Sequence, residues 1–192
     1  AVLRDAGADH LSDPKVLTDQ NAHYCFRMEI SDPADLAAWV RDADTLSDRI
    51  EIQSCGRSLE IVKDIGGAEA VAEKHGVRDM MGTHGLGHAR LATESSVLPN
   101  ASHPFWARPF SDVAIVHNGQ ITYMIANTGG IGFAKDRFAM KPLVVVDRGG
   151  DVAMATEEQA VRRIVAEEAD VINYDGPSLT GLWGVGNRGL AA

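Results

Sequence analysis

The chain has 192 residues with 18 Lys or Arg and 27 Asp or Glu, so its formal net charge is −9. A hydrophobic fraction of 45% is ordinary for a globular protein, and this length allows a sizeable buried core. Because the net charge is negative, we expect no nucleic-acid partner. Because the apolar runs are short, we expect no membrane-spanning segment. The two cysteines, Cys25 and Cys55, are too few to hold a cluster, and their rarity favours reduced thiols in a cytoplasmic protein.

The first 80 residues are strongly charged and carry short strand and helix patterns. Alternating apolar residues predict three strands here, at 24–30, 49–54 and 59–65. Asp32 followed by Pro33 predicts a helix start, with Asp32 as the N-cap of a helix over 34–40. A second helix is predicted over 68–75, ended by Gly76.

Strand patterns dominate the remainder of the chain. They cover 90–93, 112–117, 123–126, 132–134, 143–147 and 152–156. Residues 157–168 predict a helix, 129–132 predict a turn, and 181–189 form a glycine-rich tail. Many short strands flanked by few helices predict an α+β fold with mainly antiparallel sheets.

The densest group of polar residues lies between 82 and 119 and holds four of the seven histidines. One interpretation is a metal site at His84 and His88, completed by His103 or His117. The nearby glycines disfavour the helix that such a pair would need, so we expect no metal in this chain. A second interpretation is a phosphate-binding loop at 85–87 or 184–189, a weak pattern because neither opens a βαβ unit.

A third interpretation is a pocket that binds a carboxylate and stabilises an oxyanion. Arg90, on a predicted strand, can clamp a carboxylate with two parallel hydrogen bonds, and Thr93 adds a hydroxyl. Asn118 and Gly119 follow an apolar strand and can point an amide and a backbone N–H at one oxygen. Taken alone, the Asn118–Gly119 pair also predicts a two-residue type I′ hairpin turn.

These pieces occur in a fixed order over residues 82–165. The order is Gly87-His88-Ala89-Arg90-Leu91-Ala92-Thr93, then His103-Pro104-Phe105, then Val116-His117-Asn118-Gly119-Gln120-Ile121, then Lys135-Asp136-Arg137-Phe138-Ala139-Met140-Lys141-Pro142-Leu143 and Ala155-Thr156-Glu157-Glu158. In this order they resemble the glutaminase domain of class II glutamine amidotransferases, and within that family the subunits of glutamate-synthase-like complexes.

The resemblance implies a fold, a substrate and partners. It implies the αββα sandwich of N-terminal-nucleophile hydrolases, with two mainly antiparallel sheets between helix layers. Arg90 and Thr93 would bind the α-carboxylate of glutamine or glutamate, Asn118 and Gly119 would form the oxyanion hole, and His88 would support the loop. Synthase-type partner subunits would carry FMN and iron–sulfur clusters, with none in this chain. An N-methylglutamate synthase, which joins methylamine to glutamate, is one such complex.

The chain departs from the family pattern in two places. The family nucleophile is a cysteine at the N-terminus in Cys-Gly-Ile, whereas Ala1 stands first here and Cys55 is internal. A helix-bearing segment that the family carries after its Asn-Gly motif has no counterpart between Thr122 and Tyr123. Two explanations stay open: a degenerate amidotransferase fold with a structural or regulatory role, or a single domain over 1–192 whose sequence lacks whole segments. We expect the second.

Overall fold

The computed structural model describes residues 12–13, 15–18, 25–45, 50–90, 98–119, 122–138, 140–165 and 169–186. It divides into two compact units, Ala1–Met81 with Ala89–Val113 and Gly82–His88 with Ala114–Ala192. Within the described ranges, none of the helices has the length and apolar character needed to cross a bilayer.

The first unit combines a small hairpin with short helices. Its elements are strands β1 (Lys15–Thr18), β2 (Cys25–Arg27) and β3 (Phe105–Trp106), helices α1 (Leu36–Thr45) and α2 (Ala68–Lys74), and 3-10 turns at Val77–Asp79 and Pro99–Ala101. Strands β1 and β2 pair antiparallel. The predicted end of α2 is confirmed, because Gly76 adopts φ +64°, a conformation that favours glycine.

The start of α1 differs from the prediction. Asp35, not Asp32, caps the helix, because its Oδ1 accepts a hydrogen bond from the Ala38 backbone N–H at 3.0 Å. A side-chain oxygen that bonds the third helical N–H is the usual N-cap arrangement. Asp32 is instead paired with the Arg57 guanidinium. The N-cap therefore lies three residues later than predicted, at the second Asp of Asp32-Pro33-Ala34-Asp35, and the helix begins at Leu36.

The strands predicted over 49–54 and 59–65 are wrong wherever those residues are described, since 50–54 and 59–65 belong to no sheet. Both segments still bury their apolar side: Ile52, Leu59 and Ile61 pack against a core formed by Trp39, Val40 and Trp106. Alternation of apolar and polar residues indicates which side chains face a core. It does not indicate whether the backbone pairs with a neighbouring strand.

The second unit contains two antiparallel sheets. One has β10 (Thr180–Gly184), β6 (Gly130–Lys135), β5 (Thr122–Asn127) and β4 (Ala114–Asn118) hydrogen-bonded in that order. The other has β8 (Asp151–Ala155), β7 (Val144–Arg148) and β9 (Ile172–Asn173) in that order.

The predicted strands for β4 to β8 are confirmed within a few residues. The predicted turn is confirmed at Gly129 only, because Gly130 already lies in β6.

The two sheets pack face to face. Phe133 of the first sheet meets Leu143 and Val145 at the second, and Met124, Met154 and Trp183 add to this core. The opposite face of β7 carries Val144 and Val146, which pack with Val161 of helix α3 (Glu158–Arg162). Because β7 is covered on both faces, its sequence reads as a continuous apolar run. The order of layers in this unit is sheet, sheet, helix.

The α+β prediction agrees with this architecture of two antiparallel sheets and few helices. The helix predicted over 157–168 is confirmed from Glu158 to Arg162 and is wrong at 163–165, which form a turn, while 166–168 lie outside the described residues. The predicted glycine-rich tail begins with a strand, β10, and the phosphate-binding loop considered at 184–189 lies outside the described residues from 187 onward. Gly181 sits where an added Cβ would be 2.4 Å from Phe133 Cε1, so the missing side chain makes room for that ring.

Candidate functional site

Asn118 and Gly119 lie at the end of β4, next to a short connection to β5. The strand ladder continues to the pair Asn118 and Thr122, so the connection has three residues, of which Gln120 and Ile121 lie outside the described ones. Neither Asn118 nor Gly119 is among the described residues with positive φ. The two-residue type I′ turn is therefore wrong, because such a turn needs positive φ at both central positions.

Among the residues that the structure describes, none crowds Gly119. Gly119 is exposed, and a Cβ added to it would meet no atom within 4 Å. The side chain of Asn118 is half-buried and shares the strand face of Val116, which is 4% exposed. The amide of Asn118 and the backbone N–H of Gly119 are thus neighbours at the end of β4, and groups of these two kinds can build an oxyanion hole.

Two further polar residues occupy the same row of this face. Thr122 pairs with Asn118 across β4 and β5, and Lys135 pairs with Thr122 across β5 and β6. Thr122 is 1% exposed and Lys135 is 5% exposed. The Lys135 ammonium donates a hydrogen bond to the Tyr174 carbonyl at 2.5 Å. Reasoning from sequence missed Thr122, since the register that sets it beside Asn118 follows only from the three-residue connection.

Arg90 and His88 lie on the segment that joins the units. Arg90 belongs to the first unit, is exposed and lies outside any strand, so the strand predicted from residue 90 is wrong at this position. Its guanidinium donates a hydrogen bond to the Ala101 carbonyl at 3.2 Å, which fixes one of its donors. His88 belongs to the second unit and is half-buried. Thr93 lies outside the described residues.

His84 is held by hydrogen bonds that use both ring nitrogens. Nε2 lies 2.6 Å from the Asn127 carbonyl, and Nδ1 lies 2.9 Å from Thr83 Oγ1. These contacts fix the segment Gly82–His88 to the end of β5 and leave no ring nitrogen open for a metal. In the part of the chain that the structure describes, no group of three His, Cys, Asp or Glu side chains is arranged to hold a metal ion.

Cys55 lies in the first unit as a half-buried free thiol. Burial, followed by the negative charges of Asp112 and Asp32, raises the pKa of this thiol above its ordinary value. A raised pKa keeps the sulfur protonated near neutral pH, and the thiol form is a poor nucleophile. The chemistry of Cys55 therefore agrees with excluding it as the nucleophile of a hydrolase.

Two known proteins are similar in sequence to this chain. The chain is 24% identical over 197 residues to "Putative glutamine amidotransferase" of Methanothermobacter thermautotrophicus, covering 74% of this chain and 64% of that protein. Over 73 residues, 38% of this chain, it is 42% identical to the glutamine amidotransferase-like protein GlxB of Rhizobium meliloti, 24% of which is covered. The chain thus spans less than two thirds of either relative. No family model and no solved structure matches it.

Both relatives are named for glutamine amidotransferase, and the matched stretch extends over most of this chain in the first of them. This similarity supports a glutamine amidotransferase family for the chain.

Proposed function

We propose that the chain is the glutaminase-type part of a class II glutamine amidotransferase. The observation that carries the proposal is the Asn118–Gly119 pair at the open end of β4, where an amide and a backbone N–H adjoin free space. Donors fixed in this way stabilise the charge that develops on a carbonyl oxygen during attack at an amide. The two amidotransferase relatives support glutamine as the amide in question.

The proposed reaction converts glutamine and water to glutamate and ammonia. A cysteine thiolate attacks the side-chain carbonyl carbon of glutamine, Asn118 and Gly119 bind the resulting oxyanion, and the C–N bond breaks as ammonia leaves with a proton. Water then cleaves the thioester to release glutamate. Arg90 and Thr93 hold the α-carboxylate of the substrate, and His88 supports the loop. The required thiolate is an N-terminal cysteine, a residue that these 192 residues do not supply.

We further propose the αββα sandwich of N-terminal-nucleophile hydrolases and membership of a cytoplasmic glutamate-synthase-like complex. An N-methylglutamate synthase, with methylamine as the nitrogen acceptor, is one form that such a complex takes. FMN and iron–sulfur clusters belong to the partner subunits in this proposal. The segment that the family pattern expects between Thr122 and Tyr123 stays a prediction, and in the structure these two residues follow one another in β5.

The alternative is a catalytically degenerate amidotransferase fold with a structural or regulatory role. The position of Cys55 motivates this alternative, because the thiol is half-buried in the first unit and internal to the chain. In this case the Asn118–Gly119 geometry is a remnant of the ancestral site, and ammonia or an amine would reach a synthase from solution.

One experiment separates the two functions. The intact gene product is sequenced at its N-terminus and assayed for release of glutamate and ammonia from glutamine, alone and with its co-purified partners. A cysteine directly after the initiator methionine together with glutamine hydrolysis supports the enzyme. If that cysteine is absent, or if glutamine stays intact under both conditions, the degenerate fold is the correct description.

A further inference from the structure

Asn118 is the one asparagine among the six in the sequence that is followed by glycine. An asparagine loses its side-chain amide when the backbone nitrogen of the next residue attacks the side-chain carbonyl carbon, Cγ. A glycine in the next position favours this attack, because it has no Cβ and its backbone reaches conformations that other residues avoid. The sequence therefore directs attention to Asn118 and Gly119 as a site of covalent change.

The attacking nitrogen at this position is accessible. Gly119 is exposed, and a Cβ added to it would meet no atom within 4 Å. It follows the last pair of the β4–β5 ladder, Asn118 with Thr122, and within the described residues its backbone N–H makes no hydrogen bond. Attack by this nitrogen on Asn118 Cγ therefore breaks no hydrogen bond to any described residue.

At two other asparagines the fold engages the nitrogen that would have to attack. The residue after Asn100 donates its backbone N–H to the Leu98 carbonyl at 2.9 Å. The residue after Asn173 donates its backbone N–H to the Leu143 carbonyl at 2.8 Å. Attack by either nitrogen would first break a hydrogen bond, so both positions are protected by the fold.

At Asn127 the fold holds the side chain itself. Its Oδ1 accepts hydrogen bonds from the backbone N–H groups of Gly129 and Gly130 at 2.8 and 3.1 Å. The half-buried Asn118 amide has no such bond among the residues that the structure describes. The two remaining asparagines, at 21 and 187, lie outside the described residues.

We propose that Asn118 and Gly119 form a site of spontaneous deamidation that inactivates the glutaminase site. The Gly119 nitrogen attacks Asn118 Cγ and forms a C–N bond, the bond from Cγ to the side-chain nitrogen breaks, and ammonia leaves with the proton of the attacking N–H. Water then opens the five-membered succinimide at one of its two carbonyls. Position 118 ends as an aspartate or an isoaspartate, and the net reaction consumes one water and releases one ammonia.

The modification stands on its own, whereas its effect on activity rests on the proposed function. A carboxylate at position 118 has acceptor oxygens in place of the amide N–H donors, and it adds a negative charge to a chain of net charge −9. A negative charge beside a developing oxyanion opposes the reaction that the amide would assist. The isoaspartate also lengthens the backbone by one methylene before the Gly119 N–H. Each product therefore lacks the proposed oxyanion hole.

The test follows the mass of peptides from the folded, full-length chain during incubation at mildly alkaline pH. The peptide that contains Asn118 is expected to gain about 1 Da, with isoaspartate detected in it, as the amide is replaced by a carboxyl group. Peptides that contain the protected asparagines are expected to keep their mass over the same period; these are Asn100, Asn127 and Asn173.

A matched pair of glycine variants tests the route of attack. Gly119→Ala adds a methyl group that meets open space in the fold but hinders the attacking nitrogen, and it is expected to slow the mass change about tenfold or more. Gly85→Ala adds the same group at another uncrowded position and is expected to leave the rate unchanged. An equal rate in Gly119→Ala and wild type would overturn the inference.

Two further results would also overturn it. One is an unchanged mass at position 118 in the folded chain over a period in which the urea-unfolded chain deamidates there. The other is an equal mass gain at Asn100 or Asn173, because the hydrogen bonds at those positions would then give no protection.

Activity measurements keep this inference distinct from the proposed function. In an active enzyme, kcat is expected to fall in proportion to the modified fraction, and Asn118→Asp is expected to lower kcat about 10²-fold or more. Full activity after complete deamidation would contradict the inactivation and with it the role of Asn118. A chain that deamidates at position 118 but does not hydrolyse glutamine supports the modification site and contradicts the proposed function alone.

Discussion

At the scale of single residues, the Asp112 carboxylate of the first unit accepts hydrogen bonds that sequence patterns do not predict. Asp112 Oδ1 accepts from the backbone N–H groups of Ser58 and Leu59 at 2.6 and 2.8 Å. Its Oδ2 accepts from the Arg57 N–H at 3.0 Å and from the Ser111 hydroxyl at 2.7 Å. These partners lie up to 55 positions away, so no local pattern predicts them.

This carboxylate makes the stability of the protein depend on pH. Burial raises the pKa of Asp112, but the hydrogen bonds from Ser111 and from the backbone outweigh it and lower the pKa to about 2. Because the folded pKa lies below the unfolded value, the stabilisation is complete above about pH 4 and is lost as pH falls toward 2. Asp112→Asn is expected to cost about 1–3 kcal/mol at neutral pH, measured by urea unfolding.

The pH series supplies the control for that substitution. The difference in unfolding free energy between wild type and Asp112→Asn should shrink as pH falls from about 4 toward 2, since both proteins are then uncharged at this position. Asp64, whose pKa is also lowered to about 2, titrates in both proteins and cancels from the difference. A difference that stays constant over this range would contradict the assignment.

Gly56 is required by its contact with the same carboxylate. A Cβ added there would lie 2.3 Å from Asp112 Oδ1 and 2.9 Å from its backbone nitrogen, closer than atoms can approach. Gly56→Ala is therefore expected to destabilise the fold by about 1–3 kcal/mol in urea unfolding. Gly85→Ala is the matched control, because no atom lies within 4 Å of its added Cβ. Equal stability of the two variants would show that the loop shifts freely.

The prediction about affinity for glutamine concerns Arg90. If its guanidinium clamps the α-carboxylate of glutamine, Arg90→Ala is expected to raise KM about tenfold or more with a smaller effect on kcat. Arg108→Ala controls for the loss of an arginine, since Arg108 is engaged by Asp44 and Glu51 in the first unit. Steady-state kinetics of the intact gene product makes the comparison. An unchanged KM would remove Arg90 from the site.

At the scale of elements, the pairing of β6 with β10 depends on glycine. A Cβ at Gly130 would lie 2.1 Å from the Trp183 carbonyl oxygen, a backbone atom of the neighbouring strand. Gly130→Ala is expected to open this end of the ladder and to speed amide hydrogen exchange in β10, while the β7–β8 pair keeps its protection. Unaltered exchange in β10 would show that the strands separate without losing their hydrogen bonds.

The strands and helices also show which structural features sequence patterns predict and which they miss. Apolar patterns predicted β4 to β8, because each of these strands has at least one covered face and a neighbour in the sheet. The same alternation misassigned 50–54 and 59–65, which pack without a partner strand, and it missed β10, whose glycines were taken for a loop. The cap at Asp35 was missed because Asp32-Pro33 gives an equally strong start signal.

At the scale of the whole molecule, the ordered motifs resemble glutamine amidotransferases, and both similar proteins carry that name. Asn118 and Gly119 are site residues predicted from their residue types; the structure places them at the end of β4, and their role stays a prediction. The positions of Thr122 and Lys135 beside Asn118 were not predicted, because they depend on the register across three strands, which neither composition nor spacing encodes. The net charge of −9 predicts electrostatic repulsion between copies of the chain and limits only the class of partner.

The central claim, that Asn118 stabilises an oxyanion in glutamine hydrolysis, is tested most directly by steady-state kinetics of Asn118→Ala in the intact gene product. Loss of one such donor is expected to lower kcat about 10²–10³-fold with little change in KM. A variant that hydrolyses glutamine within about twofold of the wild-type kcat would contradict the claim.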